Sequence, residues 1–295
     1  MIRSFLPQLM KCSAWLGILL LSGCATYRPV PLPLAPDLTK APSLTAPASD
    51  FWLPGIKPHP FPGDGLDETS VITLAVFDDP DLKAARSQAG VASAQLLQAG
   101  LLPDPRLSAD YARSVLNSGG DMGLSEDIQA LITRGAAKAA ARSHQKQVDL
   151  DILWQEWQVA EKARELFIQA RADDQLTRVL TSSRDLFASR YHQEEIALKK
   201  GDITVSAAAA DLTLLSNAEA SLRQLQLNSS LTRHQLNQLL GLEPSVQLRL
   251  VGPVNDTPLA QDQFRAAVTA LPHRRADLLA LRAGYQSQEQ SVREA

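Results

Sequence analysis

The side chain with the clearest chemistry in this sequence is the thiol of Cys24. It closes Leu21-Ser22-Gly23-Cys24, small residues leading into a cysteine, which is the form of a bacterial lipobox. In such a motif the cysteine is acylated and becomes the first residue of the mature chain. Upstream, Arg3 and Lys11 flank a short n-region, and Trp15 to Leu21 is a compact apolar run. A run this short cannot cross about 30 Å of hydrocarbon as a permanent helix, so residues 1–23 read as a cleaved export signal. One diacylated, N-acylated cysteine carries enough acyl chain for stable anchoring, where a single chain is marginal. Ala25, rather than an aspartate, follows the cysteine, which by the sorting rule for such lipoproteins favours the outer membrane.

No other residue pattern points to bond-making chemistry. The only other cysteine, Cys12, is lost with the signal, which leaves the mature chain without a disulfide or a thiolate site. The five histidines, His59, His144, His192, His234 and His273, are scattered without ligand spacing, so no metal site is expected. There is no Walker-type glycine loop, no GxSxG and no HExxH, so no catalytic residue and no cofactor are expected either. A formal net charge of -3 excludes a strongly basic nucleic-acid footprint.

The elements that carry the chain start with a tether, residues 24–65. Ten prolines fall between Pro29 and Pro62, which forbids regular helix and favours extended chain or an unstructured linker. Beyond Gly65 the composition turns helical. Asp79-Pro80-Asp81 is a helix start, with a capping aspartate, proline at the first helical position and an acid at the positive dipole end. That helix is expected to run to about Leu101. A second should begin near Gly135 and continue without a breaker to Gly201, and a third should run from about Thr204 to Leu240, ending on Gly241. Val159, Ala163, Leu166, Ala170, Leu176, Leu180 and Phe187 form one apolar seam; Leu212, Leu215, Leu222, Leu225, Leu236 and Leu239 form the other. The short Lys199-Lys200-Gly201-Asp202 turn makes the two helices antiparallel, either as a plain coiled coil or as part of a tube. Trp154 and Trp157 are expected to be core and helix-contact residues.

Pro103 to Thr133 lacks the helical period and alternates instead. Taking Ser118-Gly119-Gly120-Asp121 as the turn places Tyr111 opposite Ile128, Val115 opposite Leu124, Ala109 opposite Ala130 and Leu107 opposite Ile132. All eight then share one apolar face, on which Arg113 and Glu126 can pair across the strands. Arms of about ten residues suit a tilted membrane strand with these eight residues toward lipid, although a soluble hairpin packed on a helix would show the same alternation. A lone hairpin cannot cross a bilayer with unsatisfied edges, so a membrane hairpin must join others in a closed barrel. An offset of 196 residues lays Asp81-Leu82-x-Ala84-x-Arg86 on Asp277-Leu278-x-Ala280-x-Arg282, which makes residues 66–265 one helix-hairpin-helix-helix unit and residues 266–295 the opening of a second.

The order of lipobox, Pro-rich tether, "DDPDLKAARSQ", strand hairpin, very long helix, "LKKGDIT" turn and a helix ending "LNQLLGLEP" resembles the TolC-like outer-membrane factors of tripartite efflux pumps and type I secretion systems, most closely their acylated branch. The resemblance covers residue 66 onward, the first of the family's two repeats and the start of the second, with the chain expected to be a fragment of a longer product or a shortened one. One departure is Ala276, where the family usually has a proline after the arginine. The resemblance implies a mainly α fold with a transmembrane β-hairpin, in which long antiparallel coiled-coil helices build an α-barrel and hairpins build a β-barrel in a homotrimer. It implies a non-enzymatic, lipid-anchored conduit in the outer membrane that extends into the periplasm and works with a periplasmic adaptor and an inner-membrane transporter. The tip that would meet the adaptor is then Gly201, Asp202, Ile203 and Thr204. Two other readings stay open: a lipid-anchored periplasmic coiled-coil scaffold without a pore, and an adaptor subunit, though lipoyl-like and β-barrel segments typical of adaptors are not seen. Metal ions, drugs and polypeptides all pass through conduits of this family, and the residues here do not distinguish among them.

Overall fold

The computed structural model describes residues 38–41, 65–102, 104–113, 118–254 and 260–294. The export signal, Cys24 and most of the proline-rich tether lie outside the described residues. Along the rest run α1 (Glu68–Asp78), α2 (Pro80–Ala99), β1 (Arg106–Arg113), β2 (Ser118–Ser125), α3 (Ile128–Lys200), α4 (Val205–Leu239), α5 (Gln261–Arg274) and α6 (Ala276–Glu294).

Local chemistry accounts for most of these boundaries. Asp67 caps α1 by accepting from the Ser70 amide at 2.9 Å, and Asp79 caps α2 by accepting from Leu82 at 2.8 Å. Pro80 cannot continue the ladder from α1 but suits the first turn of α2, so the chain breaks at Asp79. Burial pushes the Asp79 carboxyl above the ordinary aspartate range, against the opposing pull of the Leu82 amide. The corresponding break between α5 and α6 falls at Arg275, and 275 − 79 is 196, the offset of the sequence repeat.

Helix α3 is the spine. Its 73 residues span about 110 Å at 1.5 Å per residue. Two helices run antiparallel along its first half. On α2, the Arg86 guanidinium pairs with Glu156 at 2.8 Å, Ser93 Oγ accepts from Gln145 at 2.9 Å, and Gly100 O accepts from Arg134 Nε at 3.0 Å. On α6, Arg275 sits over the Trp154 ring, 4.9 Å from its centroid, and Ser287 Oγ donates to Ala140 O at 3.0 Å. The two helices use different faces. Helix α2 buries Leu82, Ala85 and Ala92, whereas α6 buries Ala276, Ala280, Ala283 and Ser287 rather than the positions 196 residues on from the α2 set. Trp154 is thus a helix-contact residue, but Trp157 is exposed, contrary to expectation.

Helix α4 folds back along the second half of α3. Its buried residues Asp211, Ala218, Leu225 and Thr232 recur every seven, the spacing of a coiled-coil seam. Of the expected seam residues only Leu176 and Leu212 are exposed; Ala163, Leu166, Ala170, Leu225 and Leu236 are buried and the others half-buried. The heptad frame also assigns inward positions to small and polar residues, Asp211, Ala218 and Thr232 among them, which counting leucines misses.

Where α1, α3 and α4 meet, Val71, Leu74, Ala75, Ala163, Leu166, Phe167, Leu236 and Leu240 form the core with Leu66 and Leu242. Arg164 reaches Glu68 at 3.0 Å across its edge. Two extended segments are stitched to this core by backbone hydrogen bonds. Thr39 donates to Gly241 O at 3.1 Å and accepts from Glu243 at 3.0 Å, while Leu66 donates to Arg249 O at 2.8 Å and accepts from Val251 at 2.9 Å. Gly241 must be glycine here: its φ is +62°, and a Cβ would lie 2.9 Å from Asp78 O. Phe167 is fully buried and Phe264, on α5, is exposed. Phe167→Ala is expected to cost about 3–5 kcal/mol in denaturant unfolding, and Phe264→Ala less than about 0.5 kcal/mol.

Candidate functional site

Two features stand at opposite ends of the spine: the strand hairpin that precedes α3 and the turn that follows it. In the hairpin, β1 and β2 pair antiparallel with Leu107 opposite Leu124, Ala109 opposite Met122, Tyr111 opposite Gly120 and Arg113 opposite Ser118. The register differs from the sequence expectation. Leu107 meets Leu124 rather than Ile132, a partner eight positions earlier, and Tyr111 meets Gly120 rather than Ile128. Ser118 to Asp121 belong to β2 instead of forming the turn. Val115 lies between the strands, outside the described residues, and Glu126 follows β2 instead of facing Arg113.

The reason is a helix that starts earlier than expected. Asp127 accepts from the Ala130 amide at 3.0 Å and caps α3 at Ile128, seven residues before Gly135. Ile128, Ala130 and Ile132, expected on a strand, therefore lie on the first turns of α3. Their alternation coincides with a helical i, i+3, i+4 set, Ile128, Leu131 and Ile132, and a cap decides between the two periods. The aspartate before an apolar run was the sequence signal for this start.

The displaced register preserves the faces. A shift of eight is even, and side chains alternate with period two, so Leu107 and Ala109 still share a face with Leu124 and Met122. Leu107, Met122 and Leu124 are 70%, 75% and 76% exposed, an apolar surface that nothing in the chain covers among the described residues. The other face carries Arg106, Ser108, Asp110, Asp121 and Ser125, with Asp110 directly opposite Asp121. Like charges so placed are unfavourable in a dry environment and tolerable in a wet one. The hairpin is thus apolar on one side and hydrophilic on the other. Exposed Ile128 and Ile132 continue the apolar surface onto α3.

At the far end, Gly201 reverses the chain in the left-handed region, at φ +81°. Gly201 N–H donates to Leu198 O and Asp202 N–H to Ala197 O, each at 3.0 Å, closing the last turn of α3. Lys199 and Lys200 complement the negative dipole end there. Lys199 also reaches Glu195 at 2.8 Å and holds that carboxyl below the usual glutamate range. Thr204 caps α4 by accepting from Ala207. Of the expected tip residues, Gly201, Asp202 and Thr204 are exposed and Ile203 is half-buried. The four form the turn between α3 and α4.

Elsewhere, a polar cleft of about 330 Å³ lies between α3, α4 and the loop after α4. Its Arg233 and Asp174 are already paired at 2.9 Å, and Asn237 donates to Val246 O at 2.8 Å. Among the described residues no three metal-capable side chains converge, and no helix is long and apolar enough to cross a membrane.

No family model matches the chain, and no curated protein matches it. Solved structures do. The outer-membrane channel OprN aligns over 76% of this chain and 54% of its own, at 16% identity and a TM-score of 0.61. CusC, studied for conformational changes accompanying folding and transmembrane channel formation, aligns over 84% and 62%, at 14% identity and 0.61. The Campylobacter jejuni CmeC outer membrane channel aligns over 91% and 61%, at 17% identity and 0.58. The chain spans less than two thirds of the length of each of these proteins. The likeness establishes the fold: a TolC-like arrangement of long helices and a strand hairpin.

Gly201 and Gly90 make a matched pair of tests for the tip. A Cβ at either position meets nothing within 4 Å, but Gly90 lies inside α2 in right-handed conformation. Gly201→Ala is expected to destabilise the protein by about 1–2 kcal/mol, and Gly90→Ala to stabilise it by about 0.5–1 kcal/mol, in denaturant titrations followed by circular dichroism.

Proposed function

We propose that this chain is a subunit of a lipid-anchored exit duct in the outer membrane, a passive conduit of a tripartite efflux pump or type I secretion system. The observation that carries the reading is the uncovered apolar face of the hairpin, in a chain whose fold is that of solved outer-membrane channels. Leu107, Ala109, Met122 and Leu124 face lipid, and Arg106, Ser108, Asp110 and Asp121 face a water-filled lumen. Ile128, Ala130 and Ile132 sit on the helix entering the bilayer edge.

Two physical requirements shape the assembly. Both edges of the β1–β2 ribbon carry unsatisfied backbone groups, so a ribbon in hydrocarbon must be sealed by strands from elsewhere, which a homotrimer provides by closing a barrel. Spine helices from the subunits then form the walls of a periplasmic tube. The turn Gly201, Asp202, Ile203 and Thr204 is its far end, where small and polar side chains allow close approach by a periplasmic adaptor bound to an inner-membrane transporter. Acylated Cys24 adds a second hold on the membrane. No bond is made or broken: the duct lowers a barrier by supplying a wet path, and energy enters through the inner-membrane partner.

Single cysteines separate this reading from a pore-free periplasmic scaffold. In outer-membrane vesicles, Leu107→Cys, Met122→Cys and Leu124→Cys are expected to react with a lipid-soluble maleimide and resist a charged one, with the reverse for Ser108→Cys and Asp121→Cys. Purified protein in planar bilayers should show discrete conductance steps. Water-like labelling at all five positions, with no conductance, would support the scaffold.

A further inference from the structure

Near the tip, the α3–α4 seam changes character. Farther from the tip, the inward residues are mainly apolar, Ala163, Leu166, Ala170, Ala218, Leu225 and Leu236, with Asp173 and Thr232 among them. Toward the tip the seven-residue frame places Glu194 and Asp211 face to face, one from each helix, at equivalent inward positions. The Asp211 side chain is only 5% exposed. Glu194 Oε2 is shut off from solvent and accepts no hydrogen bond. A single cation serves the pair: Arg190 reaches Asp211 at 2.9 Å through one guanidinium nitrogen and 3.1 Å through another. The other charged groups nearby are committed or exposed. Lys199 is held by Glu195, His192 is exposed at 3.9 Å from the same Glu195, and Asp202 lies in solvent at the turn. On α4, no cation lies between Thr204 and Arg223.

We infer that Glu194 and Asp211 form a proton-operated clasp that locks the tip-proximal seam when they share a proton and loosens it when both are ionised. One guanidinium cannot neutralise both carboxylates, and an oxygen deprived of water needs a donor. Protonated Glu194 supplies that donor by giving its O–H to the Asp211 carboxylate, which Arg190 continues to hold. On deprotonation the proton passes to water, and two like charges are left facing each other in the seam. Burial, and then the adjacent Asp211 carboxyl, raise Glu194 above the usual glutamate range. The sign follows. The folded seam binds a proton that the separated helices release, so the clasp's contribution is complete below the ordinary glutamate pKa and is lost as pH rises through the raised one. Its place about two to three turns from Gly201 makes the tip the segment that loosens, and, on the conduit reading, makes the partner-facing mouth pH-responsive.

Hydrogen–deuterium exchange of the full-length protein in detergent tests this without reference to conduction. After correction for intrinsic rates, amides of residues 195–210 are expected to exchange at least about tenfold more slowly at about pH 5 than at about pH 8. The first half of α3 serves as the internal reference. Glu194→Gln, which keeps a donor and removes the charge, should stay slow at both pH values, and Asp211→Asn should likewise lose the pH response. Both variants retain His192. An unchanged pH slope in Glu194→Gln, or a flat wild-type profile, would overturn the clasp. Conductance measured on the same preparations reports the conduit separately: pH-dependent tip exchange without any conductance would leave the clasp standing and remove the channel.

Discussion

The packing of α1 and α4 against one stretch of α3, around Phe167, is the contact on which the rest of the structure depends. A helix of 73 residues has no reason to hold its neighbours in register unless something along it fixes their axial position. Phe167, Leu166 and Ala163 do so by burying Leu74 and Ala75 from one side and Leu236 and Leu240 from the other. From that point the hairpin end and the tip end are reached by regular helix alone, so their separation is a consequence of residue count. The extended strands at Thr39 and Leu66 close over the same point, joining segments distant in sequence through backbone hydrogen bonds that need no particular side chain.

Polarity is distributed along the spine to match. The middle is mainly apolar, around Phe167; the tip end carries Arg190, Glu194 and Asp211 where leucine would bind more tightly. Polar residues at inward coiled-coil positions cost stability and confer selectivity of state. At the hairpin end the polarity divides across a strand pair rather than along a helix, with Leu107 and Leu124 on one side and Asp110 and Asp121 on the other. An amphipathic ribbon of this kind is stable only where oil and water meet, or where another surface covers its apolar side.

The repeat shows how one helix pattern serves two contacts. Helices α2 and α6 share the D-L-x-A-x-R opening and flank the same half of α3, yet they bury different faces. Alanine and serine at most inward positions make this possible, because small side chains let either face approach closely. Arg275, stacked on Trp154 and joined to Asp277 at 2.5 Å, fixes the start of α6 where no proline follows it. That pairing draws the Asp277 carboxyl below the usual aspartate range.

What the residues determined by themselves was whatever a few neighbours along the chain can decide. Asp79-Pro80 starts a helix, Gly201 ends one because left-handed backbone excludes most side chains, and Thr204 caps the next; each rests on hydrogen bonds spanning three or four residues. The alternating faces of the strands were legible for the same reason, since side-chain direction follows from the backbone alone. Tertiary structure decided what required competition between distant or alternative partners. Ile128 to Ile132 satisfied both a strand period and a helical one until the Asp127 cap and the packing of α3 drew them into helix, and the hairpin register moved by eight as a result. The inward positions of the seam, including the facing of Glu194 and Asp211, likewise came from the alignment of two helices around Phe167, because a heptad frame acquires a direction only when a second helix is present to face.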